Sequence, residues 1–378
     1  MAAAHGVTML IGVPQEIKNH EYRVGATPSG VRTFVAGGHS VRVQAGAGAR
    51  AGFPDALYRE AGAQLVSNAA AVYEAELVIK VKELQRSEFP LLHAGQIIYG
   101  YHHFAPDAQL LQAMLDARVA CVAYETVTDA HGGLPLLTPM SQIAGRLAPQ
   151  VGAWALQMAN GGSGVLLGGV PGVAPARVVI VGGGIVGEHA ARIATGMGAD
   201  VTLLDRLPHK LAQLDEIYGS RLKTALSTHA QLQSLVHGAD LVIGAVLLPG
   251  KHAPKLITRD DVAQMRPGSV IVDVAIDQGG ICETSRPTSH TEPLYVEEGV
   301  VHYCVTNMPA AVARTATLAL TPVTFGYALD IANKGLARAI RDDAGLRAGL
   351  QTCGGQVTHE ALAQDTGREY VAPETACR

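Results

Sequence analysis

The chain is poor in residues on which whole classes of protein depend. Charged side chains make up 16% of it and aromatic ones 4%, with a single tryptophan. The net charge is −4 and no basic block occurs, so the electrostatic footprint of a nucleic-acid partner is missing. Few aromatics leave few stacking platforms for single strands. Cysteine is scarce: Cys121, Cys282, Cys304, Cys353 and Cys377 are odd in number and lack CxxC spacing. That suggests neither a disulfide framework nor a zinc site, and it fits a reducing cytoplasm. Met1–Thr8 has no basic n-region and no apolar h-region, so a secretory signal is not expected. No charge occurs between Arg146 and Arg177, but Asn160–Gly164, Gly168, Gly169, Pro171 and Pro175 would break a spanning helix there. No membrane partner is therefore expected.

What is present is apolar and glycine-rich. At 378 residues and 48% hydrophobic, the chain is long enough for two domains with substantial cores. It is organised around Arg177–Asp205, RVVIVGGGIVGEHAARIATGMGADVTLLD. Val178–Val181 is a β-branched run of the kind buried on both faces of a parallel sheet. It leads into Gly182-x-Gly184-x-x-Gly187, then apolar residues at helical spacing, then a second strand pattern, Val201–Leu204, ending on Asp205. Strand, glycine turn, helix, strand and acid together read as a dinucleotide site. The first glycine permits the turn, the second lets the main chain approach a pyrophosphate, and the third lets helix pack on strand. Asp205 would accept hydrogen bonds from the ribose hydroxyls and repel a 2′-phosphate, favouring NAD. Arg206 and Lys210 are the competing signal for NADP.

Further strand patterns are Met9–Val13, Ser40–Gln44, Leu77–Val81, Gln96–Tyr101 and Val119–Tyr124, then Leu241–Val246, Ser269–Val274 and Val300–Val305. Helix patterns lie between them, including one started by Thr27-Pro28 and one over Pro106–Ala117. Ser141 is expected to cap a helix reaching about Asn160, bent at Pro149, and Ala316–Ile340 reads as a long helix interrupted near Pro322. The fold class expected is α/β: two Rossmann-like domains, each a doubly wound, mostly parallel sheet. The dinucleotide domain, residues 136–313, would be inserted into a discontinuous substrate domain, residues 1–135 and 314–378.

Ligands of open α/β sheets bind beyond the carboxyl ends of the strands, so polar residues there are the ones to weigh. They are Arg23, Lys80, Lys82, His102 and His103 in the first domain and Asp205, Asp273, Asp277 and Asn307 in the second. Each alone reads more simply as a surface charge or a satisfied core group. Together they supply a carboxylate-binding fork in Arg23, a lysine for a carboxylate or carbonyl oxygen, and a histidine to pass a proton. These are the parts needed to oxidise a carbon that bears an amine or hydroxyl beside a carboxylate. Lys80 and Lys82 share a strand face, which leaves their separate roles open, and His102 competes with His103.

Seven separated segments, MLIGVPQEIKNHEYRVGATPSGV, VIKVKE, GYHHFAP, LLTPMSQIAGRLAPQVGAWALQ, GGVPGVAPARVVIVGGGIVG, VIVDVAIDQGG and VTNMPAAVARTAT, resemble the alanine dehydrogenase family in family order. The resemblance implies reversible, NAD-dependent oxidative deamination of L-alanine to pyruvate and ammonium. It carries substrate binding to Arg23 and Lys82 and catalysis to His103 and Asp277. Cofactor contacts carry over to Ser141, Gly182, Gly184, Gly187, Asp205, Lys210, Ser227, Val246 and Leu247. They continue through Val274, Ala275, Ile276 and Asp277, and through Val305, Thr306, Asn307 and Met308. A homohexamer is also implied. Asp330 and Lys334 offer no convincing metal pair, so no metal is expected. The related α subunit of proton-translocating transhydrogenase shares the two-domain plan, and a NAD-binding subunit of that kind is the alternative.

Overall fold

The computed structural model describes residues 7–104, 106–246 and 253–377. The chain divides into two compact units, Met1–Pro139 with Ala310–Arg378, and Met140–Pro309.

The first unit is built on an eight-stranded sheet. Its strands are β1 (Leu10–Val13), β2 (Ser40–Gln44), β3 (Gln64–Val66), β4 (Leu77–Ile79), β5 (Ile97–Gly100) and β6 (Ala120–Ala123). The second unit supplies β7 (Arg177–Val181), β8 (Asp200–Asp205), β9 (Lys223–Leu226), β10 (Leu241–Gly244), β11 (Val270–Asp273), β12 (Leu294–Glu297) and β13 (Val300–Tyr303). The chain then returns to the first unit with β14 (Leu350–Cys353) and β15 (Gln356–Val357). The sheet orders are β15-β14-β6-β5-β4-β1-β2-β3 and β12-β13-β11-β10-β7-β8-β9. In the first sheet β1 to β6 are parallel, and β14 and β15 add antiparallel pairs at one edge. In the second sheet only β12 is antiparallel.

Both sheets reverse their winding once. The chain runs outward from β1 through β2 to β3, then restarts on the other side of β1 with β4. It runs from β7 through β8 to β9, then restarts beside β7 with β10. Each reversal is a topological switch point, the place in such sheets where strand ends splay and a ligand can enter. Most interior strands are chiefly apolar because helices cover both faces; β4, β5, β6, β10, β11 and β13 are buried at every position, Asp273 and His302 included.

Three expectations need correction. The helix containing Ser141 is Thr138–Ala155, so Ser141 sits inside its first turn and caps nothing. Pro139 explains the earlier start, since its missing N–H would be unpaired in a first turn anyway. The long carboxyl-terminal helix runs unbroken through Pro322, over Ala313–Lys334, and the break falls at Gly335, with φ 75°. Threonine hydroxyls bond to carbonyls around the proline: Thr321 Oγ1 donates to Thr317 O at 2.9 Å and Thr324 Oγ1 to Leu320 O at 3.3 Å. Finally, Cys353 and Cys377 form a disulfide, with Cα atoms 5.8 Å apart. It arises because the chain end, after the short helix Pro373–Ala376, returns to β14. That tertiary contact leaves no trace in cysteine spacing.

Candidate active site

In the first unit the candidates cluster at the carboxyl ends of four adjacent strands. Past β1 come Glu16, Glu21 and Arg23; past β4, Lys80 and Lys82; past β5, His102 and His103; past β6, Glu125. Arg23 is fully buried, and its Nε and Nη2 donate to the two oxygens of Glu21 at 2.7 and 2.5 Å. Burial works against the guanidinium charge, but Glu21 outweighs it and holds the group above its ordinary pKa. The fork is thereby fixed in orientation before any anion arrives.

The two lysines, equivalent by alternation, have different surroundings. Lys80 is sealed in the core, 2.8 Å from Glu88 Oε1 and 3.2 Å from Glu16 Oε2. Its ammonium is committed to that buried pair of acids. Lys82 instead reaches His103, with Nζ 3.3 Å from Nε2. An ammonium has no lone pair, so Nε2 accepts, and the neutral imidazole carries its proton on Nδ1. Nδ1 lies 3.9 Å from Glu125 Oε1.

The adjacent histidines also separate. His102 is wholly buried, stacked on Phe104 with centroids 5.3 Å apart, and burial pushes its pKa down to about 4. A group so placed is neutral at physiological pH and out of reach of substrate. His103 is exposed at 42% of its side chain and stacks on Tyr101, with rings 4° from parallel. Its φ of 48° is uncommon for a residue with a Cβ, and Glu125 explains how it is held. Glu125 Oε1 accepts the backbone N–H groups of His102 at 3.0 Å and His103 at 2.7 Å. Burial raises the Glu125 carboxyl, but His103 and His102 overcome this and keep it below its usual range. Sequence reasoning missed Glu125, although it stands two residues past a strand end, where the strand-end rule applies equally.

The second unit builds its site chiefly from backbone. Gly182, at φ 107°, runs so close to β10 that an added Cβ would lie 2.8 Å from Ala245 O. At Gly187 a Cβ would lie 1.8 Å from Gly182 O, so helix and turn meet through bare backbone. Gly184 is different: a Cβ there would meet nothing within 4 Å. It is the N-terminal residue before the helix Ile185–Gly196, and no side chain caps that helix. Open space before uncapped N–H groups is what a pyrophosphate needs, so these residues fit a dinucleotide. Asp205 braces the turn, accepting Gly183 N–H at 2.6 Å and Leu207 N–H at 2.8 Å.

The other cofactor candidates follow the ends of the parallel strands: Ser227 past β9, Val246 past β10, Val274–Asp277 past β11, and Val305–Met308 past β13. Lys210 lies in the first turn of the helix after β8, Pro208–Tyr218, and Ser141 in the helix Thr138–Ala155. Asp277 is exposed on a single 3₁₀ turn, Val274–Gln278. Asn307 holds a left-handed φ of 62°. Leu247 lies outside the described residues. Asp273, weighed as a strand-end acid, is buried and turned inward, accepting from Ile281 N at 2.8 Å and Ser285 Oγ at 2.6 Å. It holds the loop that follows Asp277.

Family models for the N-terminal and C-terminal domains of alanine dehydrogenase/PNT match residues 12–144 and 148–360. The chain belongs to that family. It is 55% identical over 364 residues to an alanine dehydrogenase of Halomonas elongata, covering 96% of this chain and 98% of the relative. Among solved structures it resembles an L-alanine dehydrogenase with a TM-score of 0.92 and 49% identity, covering 95% of this chain and 99% of the other. A transhydrogenase from Sinorhizobium meliloti shares the fold, with a TM-score of 0.80 at 24% identity, over 92% of this chain and 100% of the other. NAD is the cofactor of this family, and the backbone cradle at Gly184 suits it. Among the described residues no helix is long and apolar enough to cross a membrane.

Proposed function

We propose that the strand-end cluster of the first unit binds and protonates the substrate of an NAD-dependent alanine dehydrogenase. The observation that carries this reading is the pairing of Lys82 with His103 beside a preset Arg23, which supplies a carboxylate-binding cation and a proton-transfer group together. The reaction is the reversible oxidative deamination of L-alanine to pyruvate and ammonium. Gly182, Gly184, Gly187, Asp205, Ser141, Lys210, Ser227 and the loops at 246, 274–277 and 305–308 would hold NAD. The chemistry NAD supplies when bound is acceptance of a hydride from the alanine Cα.

The residues of the chain do the rest. Arg23 and Lys82 hold the substrate carboxylate, which fixes the direction in which Cα presents its hydrogen. The substrate reacts as its free amine, the ammonium proton having passed to solvent; once Cα is oxidised, water adds to the iminium carbon, and His103 takes the proton that this water loses. His103 returns its proton to the carbinolamine nitrogen, the C–N bond breaks as C=O forms, and the hydroxyl proton passes to the departing ammonia, giving pyruvate and ammonium. Glu125 keeps the His103 turn in place and favours the imidazolium that forms midway. Asp277 orients the water or offsets the positive nitrogen. The assembly is a homohexamer in the cytoplasm, a state light scattering can measure.

NADH consumption with pyruvate and ammonium tests the activity: the signal must vanish when either substrate is omitted. Consumption with one alone would argue for hydride transfer to another acceptor, as in a transhydrogenase subunit.

A further inference from the structure

β4 ends at Ile79, and the chain then bends at Val81 and Lys82. On one side the ladder continues, because Tyr101 N–H donates to Val81 O at 3.0 Å. On the other side β1 stops at Val13 and Pro14 follows, so at the bend the N–H groups of Val81 and Lys82 meet no strand. A side chain takes its place. Glu16 Oε1 accepts from Val81 N at 2.6 Å and from Lys82 N at 3.4 Å. The other oxygen of Glu16 faces the Lys80 ammonium at 3.2 Å, and Glu88 anchors that ammonium from the far side. Glu88 is itself fixed by Tyr73 Oη at 2.7 Å and Gln85 N at 2.7 Å.

We infer that Glu16 is a positioning residue for the substrate lysine: its side chain ties down the bend at Val81 and Lys82 and sets where Lys82 presents its ammonium. Glu16 is itself buried, and its charge also bears on Arg23. It acts through the backbone entering Lys82 and through Lys80, two residues earlier. The segment therefore reaches His103 and the substrate as a rigid arm rather than a loose loop, since one buried oxygen holds both N–H groups. This inference rests on Lys82 being the substrate lysine.

Three variants test it: Glu16→Gln, Glu16→Ala and, as a control, Lys82→Met. Steady-state rates are measured against pyruvate and against NADH, with Tm recorded alongside. The Ala variant should raise the pyruvate KM about tenfold while kcat changes less than about threefold and the NADH KM stays put. The Gln variant keeps an oxygen that accepts the two N–H groups, so it should recover part of the pyruvate KM. A role confined to stability would lower Tm and leave the pyruvate KM of the folded enzyme unchanged, and that result overturns the inference. If the Ala variant does not fold, Glu16→Met, which fills the space without an acceptor oxygen, takes its place, and a parental pyruvate KM in it overturns the inference equally. If Lys82→Met leaves the pyruvate KM unchanged, the assignment of Lys82 fails; if that variant raises KM and the Glu16 variants do not, only the inference about Glu16 fails.

Discussion

The two units share a sheet plan with one winding reversal each, but they furnish their strand ends in opposite ways. The first unit places charged side chains there, Arg23 on Glu21 and Lys80 between Glu16 and Glu88 deeply buried, and Glu125 partly buried under the two histidines. The second unit places glycine and bare backbone there, with Asp205 as a brace. On the proposed reading, one sheet end recognises a small acid and moves protons, which needs side chains held in fixed positions. The other grips a cofactor, which needs N–H groups and room. The same topology serves both because it exposes strand ends and is indifferent to what they carry.

The contrast is tested most severely at His103. If proton transfer belongs to the first unit, His103→Ala should lower kcat by about 10²–10⁴-fold with NADH affinity nearly unchanged. Stopped-flow NADH binding and steady-state turnover separate the two effects. Turnover near the parental rate would remove His103 from the mechanism.

The difference between the units also decides what could be read in advance. The glycine turn is local: Gly182, Gly184, Gly187 and Asp205 lie within one βαβ unit, so spacing alone identifies them. The substrate cluster is scattered from Arg23 to Glu125, and only the fold assembles it. Alternation put Lys80 and Lys82 on one face and could not say that Glu88 would capture the first. Neighbouring positions likewise hid the fact that His102 turns into the core. Interior strands were legible because burial on both faces demands an unbroken apolar run. The four outer strands, β3, β9, β12 and β15, were not recognised: they are two to four residues long and partly exposed. β14 escaped as well, since Gln351 and Thr352 interrupt its pattern and bond to neighbouring groups instead.

Charged groups in a sealed core make the first unit sensitive to single losses. Lys80→Met removes the cation between two buried acids, Glu16 and Glu88, and leaves them to face each other. Breaking such a pair from one side should cost about 3–5 kcal/mol, read from urea unfolding. The glycine-built site of the second unit has no equivalent liability. A loss under 1 kcal/mol at Lys80 would mean that its ion pairs are replaceable.

Acid should reveal the same asymmetry through His102. Its pKa falls from 6.5 to about 4 on folding, so between those values the unfolded chain binds a proton that the native one does not. Stability therefore declines as pH falls from 6.5 towards 4, by about 3 kcal/mol for this group. Glu16 runs the other way, because burial raises its carboxyl to about 7 and the native state takes up a proton as pH falls from 7 towards 4.5. The parental slope mixes the two, so the difference between parent and His102→Phe isolates the histidine. Parallel pH profiles for the two proteins would contradict the buried, neutral assignment.

The smallest expected effect is the most discriminating. The first helix of the substrate unit, Pro28–Ala36, is capped by Thr27, whose Oγ1 accepts from Gly30 N at 3.4 Å. Its counterpart after β7 begins at Gly184 with no side-chain cap and free space beside it. Gly184→Ser has room for its Cβ and an ordinary φ of −73°. It should stabilise the protein without cofactor by a few tenths, roughly 0.3 kcal/mol, as serine outranks glycine at such a cap. The same hydroxyl would occupy space and a donor that the pyrophosphate requires, so NADH affinity should fall about tenfold, or ~1.4 kcal/mol. Opposite signs in one variant, seen as Tm without NADH against NADH titration, would show that the helix is left uncapped for the ligand. A serine that leaves NADH affinity intact would mean that Gly184 is there for the turn alone.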